Sequence, residues 1–235
     1  MNKYVTAGAI GLLAFAAAGA AQAAIVLSFE GIAPYPNSNN VQILDYYNGG
    51  TSSIGTSGTN YGISFSSNSL LLCLNSDTVF CSNTSRGGVA PSSAQGGLYF
   101  LSGSSAILND AAGFDTGFSF NYSEVNTQGG FINVWSGLNG TGTLLASFPN
   151  LPLTASNCTG SFGAAYCPFE PFGVGFAGTA QSVEFGGVAN FVVFDDITFG
   201  SVTPGTGVPE PVTLSLFGAG LAGLVGLSRR RRKSA

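Results

Sequence analysis

The chain has 235 residues, 7 basic and 11 acidic side chains and no histidine. From Ala24 to Gly207 one cation, Arg86, stands against ten carboxylates, which excludes a nucleic-acid partner and favours divalent cations or neutral sugars. Without histidine the commonest general base and the familiar nucleophilic triads are missing, and without lysine in this stretch so is Schiff-base chemistry.

Residues 1–23 read as a secretory signal peptide. Lys3 supplies the positive start, Val5 to Ala18 the apolar stretch, and Ala21-Gln22-Ala23 a small-residue cleavage site. Signal peptidase is then the first partner, and the mature chain begins at Ala24. A retained membrane helix is the weaker alternative, because the apolar run is short.

Residues 24–200 are expected to form one extracytoplasmic domain, large enough for a sizeable core. Gly, Ser, Asn, Thr and aromatics dominate, whereas the charged residues that usually cover helix surfaces are scarce. Candidate strands in chain order include Ile25–Phe29, Ile63–Ser66, Leu98–Leu101, Phe118–Tyr122, Phe131–Trp135, Leu144–Phe148, Val183–Phe185 and Phe191–Phe199. Phe118, Phe120 and Tyr122 alternate with Ser119 and Asn121, the period of a half-buried strand. Breakers such as Gly129-Gly130, Asn139-Gly140 and Gly186-Gly187 separate the runs. Many short strands predict an all-β, antiparallel, jelly-roll-like β-sandwich, with a barrel as the alternative.

The four cysteines, Cys73, Cys81, Cys158 and Cys167, all lie in the exported part. An even number in an oxidising compartment reads as two disulfides. Of three connectivities, Cys73–Cys81 with Cys158–Cys167 is preferred because each pair closes a short loop. Zinc is disfavoured, since there is no CxxC and no histidine.

Paired carboxylates are the one catalytic option left by the composition, and Glu124, Glu170 and Glu184 are the acids that would supply a glycosidase pair. Nothing in their spacing favours this, and the domain is expected not to be an enzyme. Asp195-Asp196 interrupts the apolar run FVVFDDITF. On a regular strand the two point to opposite faces, so one of them faces inward and needs a partner. That partner is Arg86, a Ca²⁺ ion shared with Glu30, or plain hydrogen bonds. An early acid beside a late one resembles the structural calcium site of jelly-roll carbohydrate-binding modules. Tyr46 and Tyr47, in a stretch that reads as a surface loop, and Trp135 are candidates for a glycan-stacking patch, although the alternation around Trp135 also suits a core residue.

Ser201 to Gly207 reads as a linker. After it come Val208-Pro209-Glu210-Pro211, an uncharged run from Val212 to Leu227, and the basic block Arg229-Arg230-Arg231-Arg232-Lys233. The prolines delay helix entry until after Pro211. As a helix the run spans about 24 Å, somewhat short of a bilayer core of about 30 Å, and the cations hold its end on the cytoplasmic side. Gly218, Gly220 and Gly223 spell G-x-G-x-x-G but lack the strand and acidic residue of a dinucleotide site; close packing of membrane helices is the better account.

The tail from Val208 to Ala235 resembles the PEP-CTERM sorting signal of Gram-negative bacteria, with its three parts present in order. The resemblance covers the tail alone. It implies recognition by an exosortase, cleavage near the Pro-Glu-Pro motif, and passage from an inner-membrane-anchored precursor to the cell surface or the extracellular matrix. It also implies an association with exopolysaccharide and biofilm. A plain C-terminal anchor that is never cut is the alternative, and it too leaves the domain outside. The expected role is structural or adhesive. The alternatives are a calcium-stabilised carbohydrate-binding module and, behind it, a glycoside hydrolase or lyase.

Overall fold

The computed structural model describes residues 25–34, 40–74, 81, 90–91, 93–115, 117–124, 129–152 and 168–205. The signal segment with Ala21, Ala23 and Ala24, the sorting motif, the apolar run and basic block, Arg86, Cys158 and Cys167 lie outside the described residues. Among the described residues there are twelve strands and no helix long and apolar enough to cross a membrane.

The strands are β1 (Val26–Leu27), β2 (Val41–Gln42), β3 (Ile63–Phe65), β4 (Leu70–Cys73), β5 (Gly96–Tyr99) and β6 (Ser105–Phe114), followed by β7 (Phe118–Glu124), β8 (Phe131–Gly137), β9 (Thr141–Phe148), β10 (Glu170–Val174), β11 (Ala180–Gly186) and β12 (Val192–Phe199). They make two antiparallel sheets. The first runs β10-β7-β12-β5-β4-β2 with β1 also on β12, and the second runs β3-β6-β11-β8-β9. The expected all-β, sandwich-like architecture is present.

The sheets meet through aromatic rings. Phe120 and Phe194 of the first sheet lie 5.6 Å and 5.1 Å from Phe185 of the second, at steep interplanar angles. Such edge-to-face pairs add about 0.5–1.5 kcal/mol each to the area they bury. Between β8 and β9 the chain turns on Asn139 and Gly140, both at positive φ (57° and 68°), the conformation that an Asn-Gly hairpin turn requires.

The first sheet departs from the half-buried pattern expected of Phe118–Tyr122. Every residue of β7 and of β12 is buried. The phenylalanine face points to the main core, while a smaller cluster of Leu72, Leu74, Tyr99 and Val193 packs the other side. Ser119, Asn121 and Ser123 are therefore inside as well. Cys73 and Cys81 form the expected disulfide, with Cα atoms 5.7 Å apart. The segment read as a linker is described as far as Gly205, whose N–H bonds Thr198 Oγ1 at 2.9 Å.

Candidate functional site

Two clusters hold the chemistry, one inside the first sheet and one on the outer face of the second. The inner one forms where β12 changes neighbours. Phe194 pairs with Leu98 of β5, whereas Ile197 and Thr198 pair with Leu27 and Val26 of β1. Across the same stretch the register against β7 slips, from Asp195 opposite Asn121 to Thr198 opposite Ser119. Asp196 takes the extra place, at φ 49°. A bulge of this kind re-aims side chains. Instead of one aspartate facing in, both are fully buried.

Each buried acid is satisfied differently. Asp195 Oδ1 accepts the Asp196 N–H at 2.7 Å, while its Oδ2 is buried with no hydrogen-bond partner among the described residues. Asp196 Oδ2 accepts from Asn121 Nδ2 at 2.9 Å. Burial is the main cause that pushes the Asp195 carboxyl well above the usual carboxylate range; the charges of Asp196 and Glu30 add to it. The Asp196 N–H pulls the other way without reversing it.

Glu30 is the third acid expected here, and its charge is met by the main chain. Its Oε1 accepts from Ser93 Oγ at 3.0 Å and from the N–H groups of Ala94, Gln95 and Gly96 at 3.2, 2.6 and 2.7 Å. Successive N–H groups aimed at one point form an anion-binding nest. Among the described residues no three His, Cys, Asp or Glu side chains come together as a metal-holding group. Glu30 is held by the nest, while Asp196 is turned to Asn121.

The expected glycan patch divides. Tyr46 and Tyr47 are not on the surface; they are 6% and 5% exposed and belong to the main core. Their hydroxyls serve backbone groups. Tyr47 Oη accepts the Phe29 N–H at 3.0 Å, and Tyr46 Oη donates to the Glu30 carbonyl at 3.2 Å. A tyrosine can be buried when its polar tip finds such a partner. Trp135 is elsewhere, half-buried on the outward side of β8.

Around Trp135 the second sheet presents a built surface. Ile132 and Val134 face the core, which turns Phe131, Asn133 and Trp135 outward. Register places Glu184 of β11 opposite Asn133 and Ser182 opposite Trp135. A polar ladder then crosses four strands. Ser105 Oγ donates to Glu184 Oε1 at 2.9 Å, Asn133 Nδ2 to Glu184 Oε2 at 2.9 Å, and Ser147 Oγ to Asn133 Oδ1 at 2.8 Å. Phe131 lies across Gly186, where any Cβ would overlap its ring. The Asn139-Gly140 turn closes the far end. Its Gly140 N–H bonds Ser182 Oγ at 3.0 Å, and the Trp135 Nε1 beneath is buried without a partner among the described residues.

Two aromatic residues thus flank the ladder, four positions apart on one strand and about 13 Å from each other at ordinary strand rise. Amides, hydroxyls and one carboxylate between aromatic side chains form a surface suited to a neutral, hydroxyl-rich ligand. Of this set the sequence singled out Trp135 for a glycan patch and Glu184 for a different role, as one of a glycosidase pair. The alternation of Trp135 with Phe131 and Asn133 suited a core strand equally well, and joining Trp135 to Glu184 and Ser105 needs the strand register. Glu184 stands on the other sheet from Glu124 and Glu170, the acids considered with it for catalysis. No protein-family model, curated protein or solved structure matches the chain.

Proposed function

We propose that this chain is an exported protein of the cell surface or extracellular matrix, sorted by an exosortase and associated with exopolysaccharide in a structural or adhesive, non-enzymatic role. The observation that carries the reading is the order of the tail: Val208-Pro209-Glu210-Pro211, an uncharged run, then five consecutive cations. A signal-peptide pattern at the other end supports the same route, and the Cys73–Cys81 disulfide suits an oxidising compartment. The domain is read as jelly-roll-like, and its low charge suits a neutral polymer better than a charged one.

Intact masses from cells and medium test the sorting. The expected mature species begins at Ala24, ends near Pro209–Pro211, and gains about four mass units on reduction as two disulfides open. A species that keeps Arg229 to Ala235 would remove the exosortase from this reading and leave a permanent anchor.

A carbohydrate-binding module with a defined site is the second reading, favoured by the outer face of the second sheet. Phe131 and Trp135 would flank the sugar rings, and Asn133 and Glu184 would meet their hydroxyls. Retention of the mature protein on columns of neutral polysaccharide separates the two. A loss of retention in Trp135→Ala, with the fold intact, favours the defined site.

A further inference from the structure

Hydrogen bonds have a direction, and in the ladder on the second sheet they all converge on Glu184. A carboxylate accepts and does not donate, so its neighbours must turn their protons towards it. Ser105 Oγ gives its one proton to Glu184 Oε1. From the other side, Ser147 Oγ gives its proton to Asn133 Oδ1, and Asn133 Nδ2 donates to Glu184 Oε2. Both hydroxyls are left with lone pairs alone to offer a ligand. A carboxylate has about four acceptor positions, and the protein fills one on each Glu184 oxygen.

Donors are scarce around this strip. Ser182 is buried, and its Oγ donates to the Gly137 carbonyl at 2.6 Å. Trp135 Nε1 is buried beside Gly140. Neither lysine nor arginine occurs among the described residues. Within the ladder, the second Asn133 N–H is the donor that remains. The strip between Phe131 and Trp135 is therefore rich in acceptors and must be met by donors.

We propose that this strip recognises sugars by their free hydroxyl hydrogens: its ligand is a neutral polymer with unsubstituted hydroxyls, and O-acylation of that same polymer weakens binding. This specificity rests on the carbohydrate-binding reading above. A free hydroxyl donates to Glu184 and can accept the second Asn133 N–H in return. An ester at the same position has no proton to give and sets its carbonyl oxygen against the carboxylate, so that acceptor faces acceptor. A carboxylated polymer meets the same obstacle with like charges added, and no cation among the described residues offsets them.

Affinity electrophoresis of the full chain in detergent tests this, in gels containing dextran, mannan or galactan, each either plain or chemically O-acetylated. At least one plain polymer is expected to retard the protein, and its acetylated form to bind about tenfold more weakly. Steric bulk alone would produce the same loss, and Glu184→Gln separates the two causes. Its amide places an N–H where Glu184 has an acceptor, so the variant can donate to the ester and the preference should shrink to about twofold. An undiminished preference in Glu184→Gln would overturn the proposal, as would equal binding of plain and acetylated polymers to wild type. In both of those cases retardation by the plain polymer leaves the glycan site standing. Retardation by none of the plain polymers would remove the site and its specificity together.

Discussion

Glu30 with Asp195 and Glu184 with Asn133 are two ways of placing carboxylates in one small domain. In the first sheet, both faces are covered and the acids are held by the main chain, with Asp195 Oδ2 left unbonded among the described residues. On the second sheet, Glu184 is half-buried, and each of its oxygens accepts one side-chain hydrogen bond. Full burial of Asp195 makes the first arrangement matter to stability. On the outer face of its sheet, the second is within reach of a ligand.

The comparison breaks most readily at Gly96. A Cβ there would overlap the Phe29 carbonyl, and the Gly96 N–H is one of the Glu30 donors. Gly96→Ala should cost about 3 kcal/mol in denaturant unfolding; an unchanged midpoint would show that the nest tolerates movement. Next comes Glu30→Ala, which strips the shared acceptor from three N–H groups and Ser93. A loss of about 2 kcal/mol is expected, in line with hydrogen bonds to a charged group.

Asp195→Asn works in the opposite direction. The folded-state pKa of Asp195 is raised, so the folded chain binds this proton more tightly than the unfolded one. Its favourable contribution is complete below the ordinary value of 3.8 and declines as pH rises from there towards the folded pKa. Removing the charge should therefore stabilise the protein near neutrality, by about 1 kcal/mol. It should also flatten the decline in melting temperature between acidic and neutral pH. A variant that melts lower than wild type at neutral pH would show that the ionised form is compensated.

The sequence revealed this architecture where local signals were enough. The alternation at Phe118–Tyr122 and the Asn139-Gly140 turn marked β7 and the β8–β9 hairpin. β6 was hidden because Asn109-Asp110 and Ala111-Ala112-Gly113 interrupt any period of two, although its first half packs into the core. β4 was hidden for the opposite reason, since Leu70-Leu71-Leu72 has no polar alternation to reveal a strand. At the sites the missing quantity was register. The bulge that buries Asp196 beside Asp195 depends on β12 exchanging β5 for β1, a long-range event. Tyr46 and Tyr47 looked like surface residues because the main-chain partners of their hydroxyls, at Phe29 and Glu30, are set by tertiary packing.

The smallest effect on stability is expected from Glu184→Gln, and for that reason it says most about function. Gln keeps one acceptor for Ser105 or Asn133 and the same shape, so the unfolding free energy should fall by no more than one hydrogen bond, about 1 kcal/mol. If the ladder exists to hold β6, β11 and β8 in register, nothing else changes. If it meets sugar hydroxyls, the loss of a charged acceptor weakens the strongest hydrogen bond available there, and retention on neutral polysaccharide should fall severalfold. Unchanged retention together with unchanged stability would make the ladder a feature of the sheet alone. Stability cannot distinguish a half-buried ladder from a binding face, whereas retention by a correctly folded variant can.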